Sequence, residues 1–200
     1  MTQPDISGTR RNRHGNSRRY RSRPIFSRAM IIRRFSTDEW RTYRDLRLRA
    51  LAESPDAFGS TFAREVALVD DDWRFRVASG ATAPNELPLL ALVDDTPAGL
   101  AWGRIADEEP DIAHIYSVWV APDHRGLGIA RLLMEEVIAW ARAFGARVVR
   151  LDVTVGNRAA VQLYRGLGFI DVGDTQPMRV GSALRSQVME RMLDVGRGRL

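Results

Sequence analysis

Apolar residues change their spacing along the chain, and each change of period marks an element. Met30-Ile31-Ile32-Arg33-Arg34-Phe35 has the character of a strand. Ser36-Thr37-Asp38-Glu39 then carries the spacing of a capping box and predicts a helix with Trp40, Tyr43, Leu46, Ala50 and Leu51 on one side, ended by Pro55. Ser60 to Ser79 is helical in character, in two pieces. Asp70, Asp71 and Asp72 open the second piece, where acids complement the helix dipole, a duty that accounts for the triple better than a metal site does. Leu89 to Val93 and Gly99 to Ile105 flank the turn formers Asp94-Asp95-Thr96-Pro97 as a hairpin, and Ile112 to Val120 predicts a further strand. From Gly126 to Phe144 the positions Ile129, Leu132, Leu133, Val137, Trp140 and Phe144 follow helical spacing, stopped by Gly145. Val148 to Val155 is apolar and β-branched, as a strand covered on both faces should be. Asn157 caps a short helix bearing Ala160, Leu163, Tyr164 and Leu167, closed by Gly168. Phe169 to Val172 and Gln187 to Leu193 predict the last two strands. The order β-α-α-β-β-β-α-β-α-β-β contains no repeat and describes one core.

Composition narrows the class. Of 200 residues, 44% are apolar and 28% charged, the balance of a globular domain large enough to be stable without a disulfide or metal. Cysteine is absent, which removes thiolate zinc sites, iron–sulfur clusters and a cysteine nucleophile, and suits a reducing cytoplasm. The run Leu89 to Val93 is far shorter than the ~20 residues of a membrane helix, so no membrane association is expected. All 30 basic residues are arginine. Eight of them lie in the first 29 residues against the single acid Asp5, whereas the remainder carries slightly more acid than base, so the basic charge belongs to the N-terminal extension. That extension lacks apolar periodicity and reads as disordered. It suits a nucleic-acid-binding arm, an organelle-type presequence, or a stretch ahead of a true start at Met30, where strand-like sequence begins abruptly.

The segment with most chemistry is Val118-Trp119-Val120-Ala121-Pro122-Asp123-His124-Arg125-Gly126-Leu127-Gly128-Ile129-Ala130, a strand passing through a glycine turn into an amphipathic helix. Free N–H groups of a first helical turn, two glycines that let backbone approach closely and the charge of Arg125 together suit an anion such as pyrophosphate. A glycine pair at a strand-to-helix turn also has a purely steric reading. The turn lacks the third glycine of a dinucleotide fingerprint and the Lys-Ser/Thr of a P-loop. His124 reads as a surface residue.

Together with Asn157-Arg158-Ala159-Ala160-Val161-Gln162-Leu163-Tyr164-Arg165-Gly166-Leu167-Gly168-Phe169, this segment resembles the two signature motifs of the GNAT superfamily of N-acetyltransferases, and the resemblance covers Met30 to about Leu193. It implies an α/β fold with a mixed, mostly antiparallel twisted sheet flanked by helices, with strands four and five splayed to admit acetyl-CoA. It implies cofactor contacts from Arg125, Gly126, Leu127, Gly128, Ile129 and Ala130 to pyrophosphate, and from the backbone of Val118 and Val120, on a bulged fourth strand, to the pantetheine arm. Asn157 would also bond that arm. Tyr164 would protonate the departing thiolate, with Tyr116 a weaker competitor, and acetyl would pass directly from thioester to amine without a covalent enzyme intermediate. No metal is implied.

A base is harder to find. Family members often use a glutamate on strand four, and this chain has none there. By period-two alternation Ile112, His114, Tyr116, Val118 and Val120 share a face, and His114 is the obvious base among them; a structural histidine is the competing reading. Glu108, Glu109 and Asp111 could act through water. The acceptor is expected to be a primary amine on a small molecule or a protein, and the protein a monomer or homodimer. Two alternatives stay open: a toxin-like acetyltransferase of aminoacyl-tRNA, whose nucleic-acid contacts would come from the N-terminal extension, and a CoA-binding regulatory domain without catalysis.

Overall fold

The structure is a computed structural model that describes residues 28–194, so the expectation for the Arg-rich extension lies outside the described residues apart from Arg28 and Ala29. Seven strands form one sheet in the order β1-β2-β3-β4-β5-β7-β6. They are β1 (Met30–Arg34), β2 (Glu86–Val93), β3 (Thr96–Ile105), β4 (Ile112–Val120), β5 (Val148–Thr154), β6 (Ile170–Pro177) and β7 (Arg185–Met192). The β4–β5 pair is parallel and every other pair is antiparallel. Five helices cover the sheet: α1 (Trp40–Glu53), α2 (Phe62–Val66), α3 (Asp70–Thr82), α4 (Ile129–Phe144) and α5 (Arg158–Gly166).

Each face of the sheet carries its own core. On one, Leu133, Met134, Val137 and Ile138 of α4 pack with Ala113, Ile115, Val149 and Leu151. There α4 lies so close to β3 that a Cβ on Gly103 would stand 2.8 Å from the Val137 side chain. On the other face, Trp40, Tyr43 and Leu46 of α1 and Trp73 and Val77 of α3 meet Leu90, Leu100, Trp102 and Trp119. The Tyr43 ring makes edge contacts there with Phe35 at 5.5 Å and Trp102 at 5.2 Å.

Most elements fall where the pattern predicts, with three differences. Only half of the capping box forms: Glu39 accepts from the Ser36 N–H at 2.8 Å, but no side chain caps α1, and Glu39 is also held by both terminal nitrogens of Arg33 at 2.7 Å. That hydrogen bond from Arg33 draws its pKa down to about 2. The hairpin turn is tighter than expected, because Asp94 and Asp95 both take positive φ and Thr96 and Pro97 already belong to β3. Finally β6 runs on through Asp174 and Gln176 at the sheet edge, where polar residues hide a strand from a reading based on apolar positions.

Candidate functional site

The parallel pair opens partway along. β4 and β5 are paired only from Ile112–Val148 to Ile115–Leu151, and Tyr116 to Val120 continue without a partner in β5. The divergence coincides with a bulge: Leu100 of β3 faces Trp119 and Trp102 faces Tyr116, so β4 holds one residue more than its partner, and Ser117 takes φ 58°. A bulge inverts the alternation. Val118 and Val120 therefore share the α4 face with Ala113 and Ile115, whereas Trp119 joins the α1–α3 core. The single face expected for His114, Tyr116, Val118 and Val120 does not exist; the first two lie on the side opposite the valines.

The opening holds a cavity of about 510 Å³. Of the residues expected to hold acetyl-CoA, Val118, Val120, Arg125, Gly126, Gly128, Ile129, Ala130 and Asn157 line it, and Leu127 does not. Gly128 is the N-cap of α4 and offers no side chain, so the first N–H groups of the helix have no capping partner. Its φ of +83°, like the +79° of Gly126, is costly for other residues, and a Cβ on either would meet nothing within 4 Å. The turn thus presents bare backbone to open space, the arrangement a pyrophosphate needs. His124, expected at the surface, lines the same cavity, and its Nδ1 is buried without a partner among the described residues. Sequence reasoning missed it because histidine in a polar turn gives no burial signal.

Arg125 is already engaged. Its Nε donates to the Val120 carbonyl at 3.1 Å and a terminal nitrogen to Glu53 Oε2 at 2.6 Å. Glu53, at the end of α1, also accepts from the Trp119 indole at 3.0 Å and from the Ser54 hydroxyl, and the Arg125 hydrogen bond leads in drawing its pKa down to about 2. No motif pointed to Glu53, which lies 72 positions from Arg125. Asn157 caps α5, its side-chain oxygen accepting from the Ala160 N–H at 3.2 Å, while its amide NH₂ remains free among the described residues.

Tyr164 is buried on α5 with 8% of its surface exposed, and burial pushes its pKa up to about 12. It lines the cleft at the start of α4 and also a second cavity of about 330 Å³, and Val118, Ala57 and Phe58 are shared between the two as well. The second cavity shares Tyr116 and Ser117 with a third of about 800 Å³ between α1, α2, α3 and the sheet. Successive cavities thereby share walls, with Tyr164 between the first and the second and Tyr116 between the second and the third. His114 lines none of them. Its Nε2 lies 3.1 Å from Glu109 Oε2 and its ring stacks on Tyr116 at 6.0 Å, so it stands behind the second junction. Glu109 in turn meets Arg150, which is bonded to Glu190 at 2.7 Å.

Among the described residues no helix is long and apolar enough to cross a membrane, and no group of three or more His, Cys, Asp or Glu is placed to hold a metal.

Residues 39–169 match the acetyltransferase (GNAT) family. Among curated proteins, the chain is 28% identical over 174 residues to a streptothricin acetyltransferase of Streptomyces lavendulae, an alignment covering 74% of this chain and 89% of that protein. It is 40% identical over 62 residues to an uncharacterized N-acetyltransferase of Methanocaldococcus jannaschii, of which it spans only 27%, the alignment covering 31% of this chain. Its fold is similar to that of yncA, a putative acetyltransferase from Salmonella typhimurium solved with its cofactor acetyl-CoA, with a TM-score of 0.68 and 23% identity over 83% of this chain and 95% of that one.

Proposed function

The chain belongs to the acetyltransferase (GNAT) family, and we propose that it uses acetyl-CoA to acetylate a primary amine of a small molecule or protein. When bound, acetyl-CoA supplies an acyl group activated as a thioester. The observation that carries the reading is the junction of cavities: Tyr164 and Val118 belong both to the cleft suited to a pyrophosphate and to the space leading toward a second substrate.

In this reading the N–H groups at the start of α4, the backbone of Gly126 to Ala130 and His124 hold the pyrophosphate, while Val118, Val120 and Asn157 align the pantetheine arm along the open edge of β4. As the amine nitrogen bonds to the acyl carbon and the carbon–sulfur bond breaks, the Tyr164 hydroxyl moves its proton to the departing sulfur. With its pKa pushed up to about 12 by burial, the phenol carries a proton to give throughout the neutral range. The amine must lose a proton, and His114, paired with Glu109 and stacked on Tyr116, receives it through intervening water rather than by contact.

The test is release of free CoA thiol from acetyl-CoA against a panel of primary amines, with the acetylated product identified by mass spectrometry. Amine-dependent thiol release with transfer to nitrogen is expected. Tight CoA binding with a flat panel would point to a regulatory CoA-binding domain.

A further inference from the structure

The third cavity has a chemical bias of its own. Three carboxylates line it, Glu65, Asp72 and Glu86, and each already accepts from the protein. Glu65 is gripped by Arg47 at 2.7 and 3.0 Å and approached by Arg76 at 3.3 Å. Asp72 accepts from the Val69 N–H at 3.2 Å, and Glu86 from the Trp102 indole at 2.8 Å. Four arginines line the same walls, so the lining has one positive charge in excess. Two of these guanidiniums are the least engaged: Arg64 and Arg104 make no side-chain hydrogen bond among the described residues, although Arg104 is ion-paired with Glu86 at 3.7 Å. What the cavity offers a ligand is therefore guanidinium N–H, the donor set that pairs with a carboxylate.

The second cavity is opposite in character. Asp152 is the one carboxylate that lines it, and no hydrogen bond occupies its side chain among the described residues. Asp152 follows Leu151 on β5 just where pairing with β4 ceases, next to Tyr116, whose pKa is raised chiefly by burial, with Arg104 opposing and Asp152, Glu109 and Glu86 adding to the rise. An anionic group and a cationic group thus flank the Tyr116 junction, with Tyr164 on the anionic side. At the rim of the third cavity Phe75 is 75% exposed, an apolar ring with little protein over it.

We propose that the acceptor is a zwitterionic amino acid with an apolar side chain, its ammonium held by Asp152 beside Tyr164 and its carboxylate by Arg104 and Arg64. The side chain lies against Phe75. This deepens the acetyltransferase reading and rests on it for the transfer step, but the binding site is defined without turnover. A polyamine is disfavoured because its second ammonium would enter the arginine-lined cavity.

Calorimetry on the protein saturated with CoA, which carries no acetyl group, tests the proposal. Phenylalanine is compared with phenethylamine, which lacks the carboxylate, with 3-phenylpropionate, which lacks the amine, and with spermidine. Phenylalanine should bind at least ~10-fold more tightly than each. Arg104→Gln should bring phenylalanine down to the level of phenethylamine, and Asp152→Asn to that of phenylpropionate, both with unchanged CoA affinity. Equal binding of phenylalanine and phenethylamine, tighter binding of spermidine, or no measurable binding of phenylalanine would overturn the proposal. If the binding preference holds but wild-type protein transfers acetyl from acetyl-CoA to no amine of the panel, the acetyltransferase reading fails and the amino-acid site stands; transfer to another amine but not to phenylalanine would overturn the amino acid as acceptor.

Discussion

The cleft beside α4 and the cavity beneath α1–α3 lie within one sheet and are built on opposite principles. The first is made of backbone: two glycines with positive φ, an uncapped helix N-terminus and a stretch of β4 unpaired on its β5 side. The second is made of side chains, with arginines, carboxylates and aromatic rings meeting from α1, α2, α3, β2, β3 and β4. Backbone recognises what every member of a family shares, because it constrains sequence only at the few positions where geometry demands it. Side chains recognise what differs. The proposed function matches that division, with a shared cosubstrate on one side and a particular acceptor on the other.

The largest expected effect would break the side-chain half. Arg47 and Glu65 form an ion pair with only 8% and 6% of their side chains exposed. Burial pushes the Glu65 pKa up, but the hydrogen bond from Arg47 and the charges around it outweigh burial and leave it lowered. Glu65→Ala strands a buried guanidinium and should cost about 3 to 5 kcal/mol in chemical denaturation. A loss of less than about 1 kcal/mol would mean that water replaces the carboxylate.

Next in size is a change confined to the backbone half. Gly128→Val places a β-branched residue at φ +83° and a side chain where phosphate should approach, so CoA affinity should fall ~10- to 100-fold in a folded protein. Calorimetry reads this directly. Unchanged affinity would remove the pyrophosphate assignment from the turn.

A smaller effect is expected where the end of α1 reaches the edge of the cleft. Glu53 on α1 neutralises Arg125 at the edge of the cleft. Glu53→Gln should free the guanidinium for phosphate and tighten CoA binding by ~3- to 10-fold; weaker binding would make Glu53 a positioning residue for Arg125 instead. Because pairing holds the Glu53 pKa near 2, below its ordinary value, its contribution to stability is complete above the ordinary carboxylate range and is lost as pH falls through about 2. The stability difference between wild type and Glu53→Gln should therefore shrink as melts are taken from about pH 5 toward pH 2.

The smallest effect is expected at His114, outside the lining of all three cavities. His114→Ala should lower kcat/KM by less than ~10-fold. A larger collapse would require His114 to contact the amine.

The same division explains what could be read from the sequence. The cleft was legible because its parts are contiguous: the run Val118 to Ala130 and the helix from Asn157 through Tyr164 carry their spacing in the chain itself. The bulge was only partly so. Its presence on the fourth strand followed from the resemblance, but no glycine marks Ser117, and period-two counting through it put His114 and Tyr116 with the valines. Glu53, the Arg47–Glu65 pair and Asp152 beside Tyr116 carried no signal. Their meaning lies in partners brought from far along the chain, and a carboxylate on a helix looks solvated until its guanidinium is found.

Tyr164 stands where the cleft beside α4 gives way to the second cavity, and in the proposed function its hydroxyl carries the proton to the departing sulfur. Acetyl-CoA affinity and single-turnover acetyl transfer, measured side by side in Tyr164→Phe, which keeps the ring and removes the proton, separate binding from that step. Affinity within about twofold of wild type and transfer slowed ~10²-fold or more are expected. Transfer at the wild-type rate, with the chemical step shown to be limiting, would mean that the sulfur leaves without this proton.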